Sequence, residues 1–324
     1  MSRVTSLPKG RPAVIRFKML LMSLALVLAA SPAMAQATKD KISVAFPTVD
    51  PTAEVLYAYE LGLFDKAGLD VTLTPLANGG AIAAGVASGA IDIGVGNVIN
   101  IETAHKKGVP LTIIAPGAYN ANAFPSNVLI VKKDSPLKTA KDLNGKVIAT
   151  NPLRGIGEVM TNAWVDKNGG DSSTLKYIEV PFPEAAGVVV QGRADATLSV
   201  EPFITLSKGD TKIFSNVFDV FGDGYLITAY FTSQPWAVAH PTAVTRFAAV
   251  IKEVAAWANA NPAKSAEILA KYAKIDPNVV KTTVRARYST TLTAAQLQPT
   301  IDASAKYKIF DGTFPAQELI YAPK

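Results

Sequence analysis

Cysteine is absent from all 324 residues, and histidine occurs only twice, as His105 and His240. The first absence excludes a disulfide framework, which a core this large does not need, and a lipid-attachment cysteine at an export cleavage point. The two histidines stand apart, and no Asp, Glu or His cluster has metal-ligand spacing, so neither a metal nor a cofactor is expected. His105, in "ETAHKKG", is expected on a solvated helix end. Long apolar runs are also missing beyond residue 35, so nothing after it is expected to span a bilayer. Leucine-rich or propeller repeats and low-complexity tracts are absent.

Charge is scarce once the N-terminus is set aside. The chain carries 32 Lys and Arg against 26 Asp and Glu, but five of the basic residues and none of the acidic ones precede residue 36. That leaves 27 against 26, which gives no basis for binding nucleic acid or an anionic membrane surface.

What is present begins with an address. Arg3, Lys9, Arg11, Arg16 and Lys18 precede the apolar run "MLLMSLALVLAA" at 19–30, and "SPAMA" follows. Such a run reaches about 18 Å as a helix, short of a hydrocarbon core of about 30 Å. Residues 1–35 therefore read as a secretory leader cut after Ala35, in the A-x-A pattern Ala33-Met34-Ala35, with a soluble periplasmic product.

The whole chain is 49% hydrophobic, and beyond residue 35 the apolar residues recur in an α/β rhythm. "KISVAF", "LDVTLTPL" and "IDIGVG" read as strands separated by helical segments. Asp50-Pro51 reads as a helix start with the carboxylate as cap, and the following turns set Val55, Leu56, Tyr59 and Leu63 on one face. The pattern recurs in "GKVIAT", "LKYIEV" and "DATLSV". Ser88-Gly89-Ala90-Ile91-Asp92 and Gln191-Gly192-Arg193-Ala194-Asp195 join helix to strand at matching places, which suggests two similarly built lobes. The runs 127–136 and 225–233 are placed to cross between them. Helices dominate from Gln234, with starts at Asn261-Pro262, Asp276-Pro277 and Thr293-x-x-Gln296, and are expected to pack back on the first lobe. Two α/β lobes joined by two crossings make a hinged clamp around a cleft.

Ordered along the chain, "ELGLFDKAGLDVTL", "ASGAIDIGVGN", "DSPLKTAKDLNGKVIAT", "QGRADATLSVEPF" and "AAWANANPAKSAEIL" resemble the periplasmic substrate-binding proteins of ABC importers of the nitrate/sulfonate/taurine type. The resemblance implies a two-lobed type II binding-protein fold, with parallel-core α/β lobes joined by a two-strand hinge. It divides the chain into lobe I at 36–130 and 230–324 and lobe II at 131–229. It also implies a monomer that hands a small solute to an ABC permease at the inner membrane. A same-fold enzyme of the pyrimidine-precursor synthase type is the alternative, but that type relies on a cysteine-rich motif that this chain lacks.

Ligands of open α/β sheets sit beyond the carboxyl ends of strands, where free N–H groups and helix dipoles favour an anion. The candidate loops are Phe46 and Thr48; Asn78, Gly79 and Gly80; Asn97; and Tyr119 in the first lobe. In the second they are Arg154, Gly155 and Ile156; Phe182 and Glu184; and Glu201 and Phe203. Arg154 is expected to hold an anionic oxygen pair, or else to pair with Glu201. The aromatic residues suit a ligand with an apolar or aromatic body. Gly155-x-Gly157-x-x-Met160, with Glu179 about 20 residues on, resembles a dinucleotide fingerprint but lacks its third glycine. A small organic anion, a sulfonate or carboxylate, is the expected solute.

Overall fold

The computed structural model describes residues 1–6 and 39–322, so the expected leader run and its cleavage point at Ala35 lie outside the described residues. The body of the chain is Lys39–Lys324. Its strands are β1 (Asp40–Phe46), β2 (Leu69–Pro75), β3 (Ile93–Asn97), β4 (Leu111–Pro116), β5 (Ala118–Tyr119) and β6 (Asn127–Lys132). They continue as β7 (Val147–Thr150), β8 (Lys176–Glu179), β9 (Ala196–Val200), β10 (Thr211–Ser215), β11 (Thr228–Ser233) and β12 (Arg287–Tyr288).

One five-stranded sheet has the order β2-β1-β3-β11-β4 and the other β8-β7-β9-β6-β10. The two orders are the same. In each, the first strand of the lobe pairs in parallel with its second and third. In each, one antiparallel strand is inserted next to the third: β11 in the first sheet and β6 in the second. That strand is always the one arriving from the other lobe. The fold is thus the two-lobed type II arrangement, with a parallel core and a mixed sheet in each lobe.

The chain crosses between lobes at 120–126 and 216–227. Most of the runs 127–136 and 225–233, expected to cross, are β6 and β11, buried along nearly their whole length. A strand covered on both faces reads as an unbroken apolar run, which from sequence looks the same as a buried connector.

The repeated x-G-x-x-D signature has one physical role in both lobes. Gly89 and Gly192 take positive φ of 76° and 72° and turn the chain out of a helix. The Asp92 carboxylate then accepts from Ser43 N at 2.7 Å and Ser43 Oγ at 2.8 Å, while the Asp195 carboxylate accepts from Val147 N at 2.9 Å. Each aspartate pins the first strand of its lobe beside the third.

Helices Pro241–Ala260 and Pro262–Ala273 return to the first lobe, where Phe247, Val250 and Leu269 pack with Val44, Leu69 and Phe64. The Thr293/Gln296 capping box forms at the start of helix Ala294–Lys306. Two local expectations differ. Gly62, at φ +66°, separates Leu63 from the helix begun at Glu54, and Tyr59 is exposed rather than part of a buried stripe. Asp50 does not cap a helix; its carboxylate is fully buried and engaged by Arg285, as described below.

Candidate functional site

Between the two sheets lies a cavity of about 60 Å³ with walls from both lobes. At about 10–15 Å³ per water-sized occupant it admits only a compact group of a few heavy atoms. The first lobe contributes Pro47, Val49, Pro51, Thr52, Ala77, Gly79, Gly96 and Asn97, with Ile227 and Thr228 at the start of the returning β11. The second contributes Asn127, Asn151, Pro152, Ile156, Phe182, Leu198, Val200 and Phe218. A wider opening of about 370 Å³ adjoins it, sharing Pro47, Val49, Ala77 and Phe182 and adding Thr48, Phe203 and Tyr272.

Four helices begin at this cavity. Gly79, Ile156 and Phe182 are the first residues of helices Gly79–Ala87, Ile156–Lys167 and Phe182–Val190, and Asn97 caps helix Val98–Lys106. Each terminus carries the equivalent of about half a positive charge and N–H groups without intrahelical partners. No charged side chain lines the cavity; its polar side chains are the carboxamides of Asn97, Asn127 and Asn151 and the hydroxyls of Thr52 and Thr228.

Gly157 explains part of the glycine-rich stretch. A Cβ there would lie 2.4 Å from Thr150 Oγ1 and 2.6 Å from Leu198 Cδ2. The missing side chain lets the helix terminus press against β7 and β9, so the motif serves close packing.

The loop Pro47–Thr52 is braced from below. Arg285 Nε donates to both Asp50 oxygens, at 3.1 and 3.2 Å, and Nη2 completes a two-pronged pair. Ala286 N donates to Asp50 Oδ2 at 2.6 Å, and Tyr57 OH to Oδ1 at 3.2 Å. Burial opposes the charge on Arg285, but the Asp50 carboxylate beside it outweighs this and raises its pKa.

The expected site residues fall into three groups. Gly79, Asn97, Ile156 and Phe182 line the cavity, and Thr48 and Phe203 line the opening. Asn78, Gly80 and Gly155 lie next to lining residues without lining the cavity themselves; Asn78 Oδ1 accepts from Gly80 N at 2.7 Å and caps the helix. The remainder stand apart. Phe46 is 2% exposed in the first lobe's core, because strand alternation turns it away from the side that Pro47 faces. Tyr119 lies at a separate pocket beside β12, and Glu184 is solvent-exposed. Glu201 is buried and accepts from Thr205 N at 3.1 Å and Thr205 Oγ1 at 2.9 Å, not from Arg154; burial raises its pKa. Arg154 donates from Nη2 to the carbonyls of Lys308 at 2.8 Å and Ile309 at 2.5 Å, so its guanidinium is committed outside the cavity.

Sequence reasoning missed Asn127 and Thr228, which it read as parts of crossing segments. Their signal was polarity within otherwise apolar runs, Asn127 opening one and Thr228 interrupting the other. His105 is also less exposed than expected, its ring tilted against Phe314 at 4.9 Å between ring centres and 3.4 Å from Glu318. Among the described residues there is no group of three or more metal-ligating acids and histidines, and no helix long and apolar enough to cross a membrane.

Residues 51–265 match the family described as NMT1/THI5 like. The chain belongs to the NMT1/THI5-like family. Curated relatives within reach of this NMT1/THI5-like chain include proteins of Brucella abortus and Brucella suis whose names mark them as candidate binding proteins. They are 26% identical over 287 residues, covering 86% of this chain and 84% of theirs. Among solved structures, the alkanesulfonate-binding protein SsuA of Xanthomonas axonopodis pv. citri, bound to MOPS, superposes with a TM-score of 0.74 at 17% identity. That match covers 88% of this chain and 99% of SsuA. The periplasmic nitrate-binding protein NrtA of Synechocystis PCC 6803 gives 0.71 at 14% identity, covering 86% of this chain and 84% of NrtA.

Proposed function

We propose that the chain is the extracytoplasmic solute-binding receptor of an ABC importer. It is exported behind a leader cut after Ala35 and works as a monomer in the periplasm. It captures one small organic anion, a sulfonate or carboxylate, between the two lobes and delivers it to the permease at the inner membrane.

The observation that carries this reading is the cavity lined from both lobes, with the first residue or N-cap of four helices in its wall. Backbone N–H groups and three asparagine carboxamides can neutralise a compact monoanion without a counter-ion. The apolar remainder of the lining excludes water and leaves multiply charged anions undercompensated. The names of the Brucella, Xanthomonas and Synechocystis proteins support the same class. The enzyme alternative has less to work with, since the chain has no cysteine and neither histidine lines the cavity.

The test is calorimetric titration with sulfonates, carboxylates, nitrate, pyrimidines, neutral sugars and organic cations. One or more of the monoanions should bind at one site per chain. Binding confined to sugars or cations would overturn the anion assignment.

A further inference from the structure

Arg154 sits between β7 and helix Ile156–Lys167 in a left-handed turn, with φ of 55°. Its N–H donates to Glu158 Oε2 at 2.8 Å, which ties this turn to the helix it precedes. The guanidinium reaches the other lobe, donating to Lys308 O and Ile309 O. Those carbonyls lie just past helix Ala294–Lys306, which ends with Ile309 N on Ser304 O at 2.9 Å and Lys308 N on Ala305 O at 3.1 Å. The pattern is a Schellman end, with Lys308 at φ +56° where glycine is usual. A cation there meets the negative end of the helix dipole.

The same second-lobe loop is tied at a second point. Glu179 Oε2 accepts from Leu153 N at 3.1 Å, and Glu179 Oε1 accepts from Asn78 Nδ2 of the first lobe at 2.9 Å. Neither Arg154 nor Glu179 lines the cavity, although Asn151 and Pro152 of that loop do. The bonds therefore join lobe to lobe outside the space a solute would fill.

We propose that Arg154 and Glu179 are positioning residues that form a two-point latch, holding the lobes closed from outside the cavity. The biological use of the latch rests on the receptor reading, because a cleft that admits solute must open. The latch itself is independent of solute chemistry. It raises the closed fraction of the empty protein, alongside the interlobe bond from Tyr307 OH to Asp166 Oδ2 at 3.0 Å, and the apparent affinity scales with that fraction. A partly exposed, charge-assisted hydrogen bond shifts such a balance roughly tenfold.

The absence of native cysteine makes the test direct. Ser88 and Gln191 are exposed residues that end helices Gly79–Ala87 and Phe182–Val190, one on each lobe. Spin labels on Ser88→Cys and Gln191→Cys report the interlobe distance by pulsed dipolar EPR with no solute added. Arg154→Ala and Glu179→Ala should each move the population roughly tenfold toward the longer distance, while Arg154→Lys, which still donates, retains most of the short one. Distance distributions for both alanine variants that match the parent's would overturn the latch. This readout needs no bound solute, so failure of every anion to bind would count against the receptor reading alone.

Discussion

Asp50 and Arg285 lie 235 residues apart in sequence, yet form a two-pronged ion pair directly beneath the cavity loop, with the carboxylate fully buried. The pair holds Pro47–Thr52 against the long C-terminal segment, so the shape of the first lobe's wall depends on residues that no solute touches.

Removing one partner should therefore cost far more than a surface ion pair does. Arg285→Ala leaves a buried carboxylate with its Tyr57 and Ala286 donors but no counter-charge, and should destabilise the fold by about 3–5 kcal/mol. Chemical denaturation measures this directly. Arg285→Lys should recover only part of the loss, because an ammonium cannot reproduce the fork.

Gly157→Ala should displace the N-terminal end of helix Ile156–Lys167. The new methyl meets Thr150 Oγ1 and Leu198 Cδ2, and Leu198 lines the cavity. A loss of about 1–3 kcal/mol in stability is expected from overpacking. Weakened solute binding should accompany it in the same titrations.

Asn127→Asp places a negative charge in the cavity wall. Binding of a monoanion should fall below detection at neutral pH, while Asn127→Ala should weaken it by about 1 kcal/mol, as for loss of one hydrogen bond. Equal binding by the Asp variant and the parent in calorimetry would argue against an anionic ligand.

Glu102 gives the fold a pH dependence. It lies wholly buried between helices Val98–Lys106 and Ala294–Lys306, where burial pushes its pKa up to about 8, although Thr300 and Ser304 oppose the rise. Unfolded, it titrates near 4.5. Below that pH it is neutral in both states. As pH climbs toward 8 only the unfolded form ionises, so stability falls, with a slope approaching about 1.4 kcal/mol per pH unit. Above 8 its contribution to the slope vanishes. Urea denaturation from pH 4.5 to 8.5 should reveal this decline, and Glu102→Gln should reduce it by one carboxyl's share, leaving that of the buried Glu54, whose pKa burial also raises.

Asp92 and Asp195 should behave as equivalents. Replacing either by Ala frees the first strand of its lobe from the third and should cost about 1–3 kcal/mol. The residues belong to different lobes, so the two costs should add within about 0.5 kcal/mol in the double variant.

Much of the architecture was legible from residue order. Strand and helix periodicity located the elements of both lobes, and the shared Gly and Asp of 88–92 and 191–195 exposed their kinship, because those contacts form within some fifty residues. The helix starts at Gly79, Asn97, Ile156 and Phe182 were legible too, since capping and strand-end chemistry are local. The partners of Arg154, Glu179 and Asp50 were not. Each lies about 100 to 235 residues away, and a side chain's reach across a cleft is set by how two lobes pack rather than by its neighbours in sequence. The sequence by itself determined two α/β lobes with helix N-termini at the strand ends. Only the tertiary structure decided that the arginine beside the glycines faces a helix end on the opposite lobe and leaves the cavity to backbone and amide groups.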